Sequence, residues 1–474
     1  MFIQVDIESL TRYGAALCCR RFHGSHTYDR IAEILNKIIT EYEIPIQNIV
    51  ATVTDNGRNF VKAFAEFGVK NIPLEIQMEV EPEDENSFIS NEIIGDYFQD
   101  NEAVNFIAIP DSNMEESGQS PSAYNYFGTI LSKHIRCACH TLSLVATTDA
   151  QTALKFKPFA SLSHTTMGKC SALWNKGGRP KSFETIHELI GCSLKIPCIT
   201  RWNSLYDSIL VLLKFKSKLN ELMASLQLSS FTNQEIQFLE EYKLVLSPIA
   251  CALDRLQGDT VFYGEFLPTL LKVNAQLEEV NIRALNYCSV LLTAVTNGFK
   301  SRFSDYLNLT PLANDSLLAS VSHPYFKLRW IKAAFGAGDE NKEVTESKKC
   351  SIRKLFISAA RGFSVECDDD SSSKSSDTEE YFDFEHSSKS KTARTPEMMV
   401  MAYLNDTDHS LQSLKKHPLI LDMFLRYNTT VPSSAPVERL FSFAGLINSP
   451  RRERISDELF ERLLMLKANS HIKN

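Results

Sequence analysis

The chain predicts a mixed α/β domain interrupted by an all-helical insertion and closed by a helical C-terminal region. Three observations carry this class. Short β-branched runs cluster towards the front, helical apolar periodicity extends from about Ser204 to Phe363, and two capped helical patterns fill the end.

Residues 1–7 alternate through Phe2, Ile3, Val5 and Ile7, and a second apolar run from Tyr13 ends at Arg20-Arg21-Phe22. With Ser9-Leu-Thr-Arg-Tyr between them, they predict a β-hairpin. From His26-Thr-Tyr-Asp onwards, Ile31, Ile34, Leu35, Ile38 and Ile39 share a helical face. Ile49-Val-Ala-Thr-Val-Thr predicts a short buried strand ending at Asp55-Asn56-Gly57, and Phe60, Val61, Ala63 and Phe64 begin another helix. Order is expected again near Tyr126, leading into Ile135-Arg-Cys-Ala-Cys-His. The middle is helical, as in Leu210, Leu212, Leu213, Phe215 and Leu219, or Phe238, Leu239, Tyr242 and Leu246. No internal repeat is present. The expected division is 1–74 and 126–203 for the mixed domain, with 75–125 an acidic insertion loop between them. Residues 204–365 form the helical insertion, 366–395 a disordered acidic and Ser-rich linker, and 396–474 the C-terminal region.

A chain of 474 residues can bury a large core, and 43% hydrophobic with 23% charged residues is ordinary for a globular protein. No apolar run approaches the roughly 18 to 20 residues that span a membrane, and the start lacks a secretory pattern. Eleven cysteines without regular spacing point to reduced thiols in an intracellular protein. The net charge of −8 is uneven: Glu75–Glu116 carries −13 and Glu366–Thr395 carries −5, which leaves +10 on the remainder. A modestly basic body is compatible with DNA contact. Equally, such charge runs are ordinary solvated surfaces.

Asp55 ends a predicted strand, where open α/β sheets place their sites, and a strand-end carboxylate can hold a divalent ion for phosphoryl transfer. The same Asp-Asn-Gly also makes a turn that needs no further role. Glu438 follows Ser433, Ser434 and Pro436, a helix-start signature with a capping hydroxyl, and an acidic residue there also suits the helix dipole. Phe441, Phe443, Leu446 and Ile447 are expected on that helix's core face. In the last helix Ser456 is the expected cap, and Leu459, Phe460, Leu463, Leu464 and Leu466 form a broad apolar stripe, which packs within the chain or between chains. Arg451, Arg452 and Arg454 could meet phosphate or solvate a turn. Cys137-x-x-His140 lacks the second pair that a zinc site requires, so a structural role is expected. Arg201 beside Trp202 could hold a splayed base and its phosphate, or Trp202 could be core. No phosphate-binding loop, His-Glu-x-x-His, nucleophile elbow or dinucleotide turn is present, which removes support for metabolic enzymes with small-molecule substrates.

Taken together, Thr54-Asp55-Asn56, Arg136-Cys137-x-x-His140, Thr200-Arg201-Trp202-Asn203-Ser204, His323-Pro-Tyr-Phe-Lys and Ser433-Ser-Ala-Pro-Val-Glu-Arg-Leu-Phe-Ser resemble the hAT superfamily of DNA transposases. The likeness is to relatives that carry BED zinc fingers, and it extends over nearly the whole chain. It implies an RNase H-like catalytic core split by the helical insertion, with two Asp and one Glu as the catalytic and metal-holding triad. Carried over by motif, Asp55 is the second aspartate and Glu438 the glutamate. Arg201 and Trp202 handle the flipped base, and the C-terminal helices dimerise the protein. The first catalytic aspartate and its strand lie upstream of the hairpin in the family, and Asp6 is a poor substitute. The resemblance therefore implies a transposase-derived protein, truncated at its front and catalytically inactive. It is expected to form a homodimer or higher homo-oligomer, with DNA as a further partner, no membrane and a nuclear location. No cofactor is expected of an incomplete triad, and Mg²⁺ or Mn²⁺ of a complete one. The alternative is a fragment of an active transposase that performs metal-dependent DNA cleavage and strand transfer.

Overall fold

Two antiparallel strands open the chain: β1 (Phe2–Val5) pairs with β2 (Arg12–Ala15), Phe2 opposite Ala15 and Val5 opposite Arg12. The computed structural model describes residues 1–22, 24–69, 131–198, 203–335, 342–365, 395–448 and 455–470. The hairpin turn is closed by Asp6, whose carboxylate accepts the Ser9 N–H at 2.7 Å, while its carbonyl accepts the Leu10 N–H at 2.8 Å. Leu10 takes a left-handed φ of 55° and buries its side chain against the helical part of the molecule.

The next elements are α1 (Tyr28–Glu41), β3 (Thr52–Thr54), α2 (Arg58–Phe67) and β4 (His134–Arg136). β3 and β4 run parallel, Val53 opposite Ile135. A parallel pair needs cover on both faces, and alternation supplies it. His134 stacks on Phe64 of α2 at 4.6 Å, whereas Val53 and Ile135 face the large helical core. The strand predicted over 49–54 is thus shorter than expected and half-buried, because its pairing with β4 begins only at Thr52 opposite His134. Among the described residues the strands form two separate two-stranded sheets.

The remainder is helical: α3 (Ala138–Leu144), α4 (Lys157–Gly177), α5 (Pro180–Ile190), α6 (Ser204–Lys214), α7 (Lys216–Ser225), α8 (Asn233–Leu256), α9 (Phe266–Asn281), α10 (Ser289–Arg302), α11 (Asn314–Ser322) and α12 (Arg329–Phe335). Then come α13 (Lys342–Val365), α14 (Pro396–Asn405), α15 (Pro418–Asn428), α16 (Ala435–Ile447) and α17 (Asp457–Ala468). α8 is the spine. Thr232 and Glu235 close a capping box at its start, and Phe238, Leu239, Val245, Ile249 and Leu253 lie in the main core. A second core joins α9, α11, α13, α14 and α15 around Phe356, Tyr403 and Phe424. The acidic segments 75–125 and 366–395 lie almost wholly outside the described residues, so their expected loop character is not addressed by the fold.

The ends of the chain meet. The Ala16 N–H donates to Asn469 Oδ1 at 2.8 Å, and Asn469 Nδ2 donates to the Ala16 carbonyl at 2.9 Å. Ala16, Leu440 and Leu464 form a small buried cluster, with Ala444, Ile447, Phe460 and Ala468 packed against it. One expectation is corrected here. Phe441, Phe443 and Leu446 are exposed, and Leu446 is 75% accessible. The inward face of α16 is instead Leu440, Ala444 and Ile447, an i, i+4, i+7 row that meets α17.

Candidate functional site at the β3 end and the α16 start

Asp55 follows β3 directly, is exposed, and its Oδ1 accepts the Gly57 N–H at 3.1 Å. This is the Asx turn that the sequence offered as its bland explanation. A methyl at Gly57 would lie 3.0 Å from that oxygen, so glycine leaves the carboxylate room. Beside it, Asn56 Nδ2 donates to Thr141 Oγ1 at 3.1 Å and ties the turn to α3. Among the described residues, the buried Asn56 Oδ1 has no hydrogen-bond partner.

Glu438 sits in the first turn of α16, with Pro436 at the helix start and Ser434 as the N-cap residue. Ser434 makes no side-chain capping bond, and the hydroxyl that serves the helix start is that of Ser433, whose Oγ accepts the Ala435 N–H at 3.0 Å. Ser434 Oγ instead donates to Glu438 Oε1 at 3.3 Å, so its hydroxyl serves the carboxylate and not the backbone. Burial holds the Glu438 carboxyl above its ordinary value. The Ser434 hydrogen bond opposes that rise, the Asp55 charge adds to it, and Arg439 opposes it. The two carboxylates are therefore near enough to repel one another, although they come from opposite ends of the sequence.

Two histidines complete the surroundings. His134 is pushed down to about 4 by burial, with Arg136 adding to the effect and Asp55 opposing it. Its Nε2 lies 2.8 Å from Thr54 Oγ1. His140 is also lowered, first by burial, with Asp55 opposing and Arg302 adding. Arg302 is held by Asp149 in a two-pronged ion pair at 2.6 and 2.8 Å. Both imidazoles are thus neutral at pH 7, and the local field is set by Asp55, Glu438 and these arginines.

Cys137 is the N-cap of α3 and is wholly buried. Its sulfur faces helix-start N–H groups, in keeping with a structural role. Burial raises the Cys139 thiol strongly. Among the described residues no three His, Cys, Asp or Glu side chains are grouped to hold a metal ion. Asp55 and Glu438 supply two carboxylate donors, which fit part of a hard-cation site. Arg201, Trp202, Arg451 and Arg452 lie outside the described residues. Asn203, next to the former pair, is buried and donates to the Ala250 carbonyl at 2.8 Å and to Asp254 Oδ1 at 2.7 Å.

The five apolar residues of α17 divide. Leu464 is fully buried and Phe460 packs beside it, whereas Leu459 and Leu466 are 48% and 72% exposed, with Leu463 half-buried between them. Leu459, Leu463 and Leu466 form an i, i+4, i+7 row on the opposite side from Phe460, Leu464 and Ala468. Sequence reasoning missed Ser434 as a carboxylate partner, the Arg302–Asp149 pair beside His140, and Arg439, which ion-pairs with Asp259 and donates to the Gln257 carbonyl at 3.2 Å. Only Ser434 had a readable signal, its spacing of four residues from Glu438.

Among the described residues no helix is long and apolar enough to cross a membrane. Comparison of the chain with protein-family models gives no match, and comparison with curated proteins gives none either.

Proposed function

We propose that this protein derives from a DNA transposase of the hAT type and now works as a self-associating protein through α16 and α17. The observation that carries the reading is the division of the α17 stripe. One apolar row is consumed inside the chain, and a second, Leu459, Leu463 and Leu466, faces outwards beside a helix that exposes Phe441, Phe443 and Leu446. Exposed apolar groups at this density fit an interface between copies. In this reading the two strand pairs are flanks of one RNase H-like sheet, Asp55 and Glu438 are its relic carboxylates, and the basic body meets DNA in the nucleus.

Light scattering on the full chain tests it. The wild type is expected at twice the monomer mass at micromolar concentration. The double substitution Leu459→Ser and Leu466→Ser should give a monomer that still unfolds cooperatively, because both positions are exposed in the single chain. A monomeric wild type overturns the reading.

A second reading, an active transposase, is favoured by the electrostatic influence of Asp55 on Glu438. It requires Mn²⁺- or Mg²⁺-dependent nicking of DNA that disappears in both Asp55→Asn and Glu438→Gln. Nicking that survives either substitution removes it.

A further inference from the structure

The Asp55 and Glu438 segments share one intermediary. The Cys137 N–H donates to the Thr54 carbonyl at 2.8 Å, one residue before Asp55, and extends the β3–β4 ladder. The Ala138 N–H donates to the Pro432 carbonyl at 2.9 Å. The Cys137 sulfur accepts the N–H groups of His140 at 3.3 Å and Ser434 at 3.2 Å, and its own S–H points to Ser433 Oγ at 3.9 Å. Ser434 then reaches the Glu438 carboxylate. A helix start leaves N–H groups without intrahelical partners. Here one sulfur serves the starts of two helices, α3 and α16. It does so fully buried, where losing the acceptor would leave two N–H groups without water. A serine oxygen, on a shorter bond from Cβ, could accept both only by drawing the two helix starts inwards.

We propose that Cys137 is a positioning residue whose sulfur fixes the start of α16 against the end of β3 and so sets the approach of Glu438 to Asp55. This rests on reading those two carboxylates as one site.

The test is a pH titration of the Glu438 carboxyl by ¹³C NMR in the glutamate-labelled full chain, with the signal assigned from Glu438→Gln. In the wild type, Asp55→Asn should lower the Glu438 midpoint. If it does not, the shared-site reading fails, and the proposal with it. Given that response, Cys137→Ala should reduce it by at least half, and Cys137→Ser should fall between Ala and wild type. Cys170→Ala removes a thiol buried in the main core away from this junction. It should lower the melting temperature and leave the response intact. A full response in both Cys137 variants overturns the proposal, as does an equal loss in Cys170→Ala. Should Cys137→Ala fail to fold, the serine variant decides alone: a reduced response supports the proposal and a full one overturns it.

Discussion

The helical body and the strand pairs keep their shape in different ways. α8 alone buries twelve of its 24 residues, and the main core runs without a break from α3 to α10. β3 and β4 have three residues each, none fully buried, and they depend on Phe64 on one face and the body on the other. The hairpin is equally dependent. Arg12 of β2 donates to the Asn428 carbonyl at 2.6 Å and to the Val261 carbonyl, and lies 4.6 Å from the Phe262 ring centre. Burial lowers that guanidinium to about 10. The difference teaches that the strand ends carrying Asp55 are placed by the helices, not by a sheet of their own.

The sharpest way to break this comparison is a pair of truncations. Phe238→Ala in the body should cost about 3–5 kcal/mol and Val53→Ala about 1 kcal/mol in urea unfolding. Equal costs would refute the contrast. Next in size is Asn428→Ala. Asn428 is fully buried, accepts the Gly264 N–H at 2.8 Å, and donates to the Ala319 carbonyl at 3.0 Å and Ser322 Oγ at 3.1 Å. Its loss should cost about 2–3 kcal/mol and, since Arg12 grips the same residue's carbonyl, should also loosen the hairpin. Hydrogen exchange on residues 12–15 would reveal that coupling, and unchanged protection would deny it.

Acid compares the two regions through their histidines. Burial pushes both His323 in the body and His134 in β4 down to about 4. The unfolded chain takes up these protons near 6.5, and the folded chain resists to about 4. Stability is therefore full above pH 6.5 and is lost as pH falls from there towards 4. Between pH 7 and 5 His323 should account for about 1–2 kcal/mol and His134 for less. His134→Gln should remove its part of the acid loss, and an unchanged pH profile would contradict its neutral state.

The smallest effect belongs to Glu438. Its raised carboxyl means that the folded chain holds a proton longer than the unfolded one, so its charge costs stability above the raised value. Glu438→Gln should stabilise the protein at pH 8. The gain should shrink as pH falls through that raised value and vanish below the ordinary 4.5. A constant gain at every pH would mean that the carboxylate is not desolvated.

Much of this was legible in the sequence, for physical reasons. Helical periodicity found α8, and the Ser456 and Pro436 signals located helix starts, because such start signals are local. The strand at Ile49–Thr54 was placed correctly and overextended at its start, since the strand begins where pairing with β4 begins, which propensity does not mark. Phe441 and Leu446 were assigned to the wrong face because the partner of α16 is Ala16 and α17, a contact between chain ends that no periodicity reveals. Asp55 and Glu438 were individually visible as a strand-end and a helix-start carboxylate. Their mutual field and the bridging role of Cys137 depend on tertiary contacts.

Native-state hydrogen exchange on the full chain tests most directly whether the body holds the strand ends in place. The amides of Val245–Leu253 in α8 should exchange only through global unfolding, while those of Thr52–Thr54 and His134–Arg136 open at a lower free energy. Strand amides as slow as those of α8 would contradict the account.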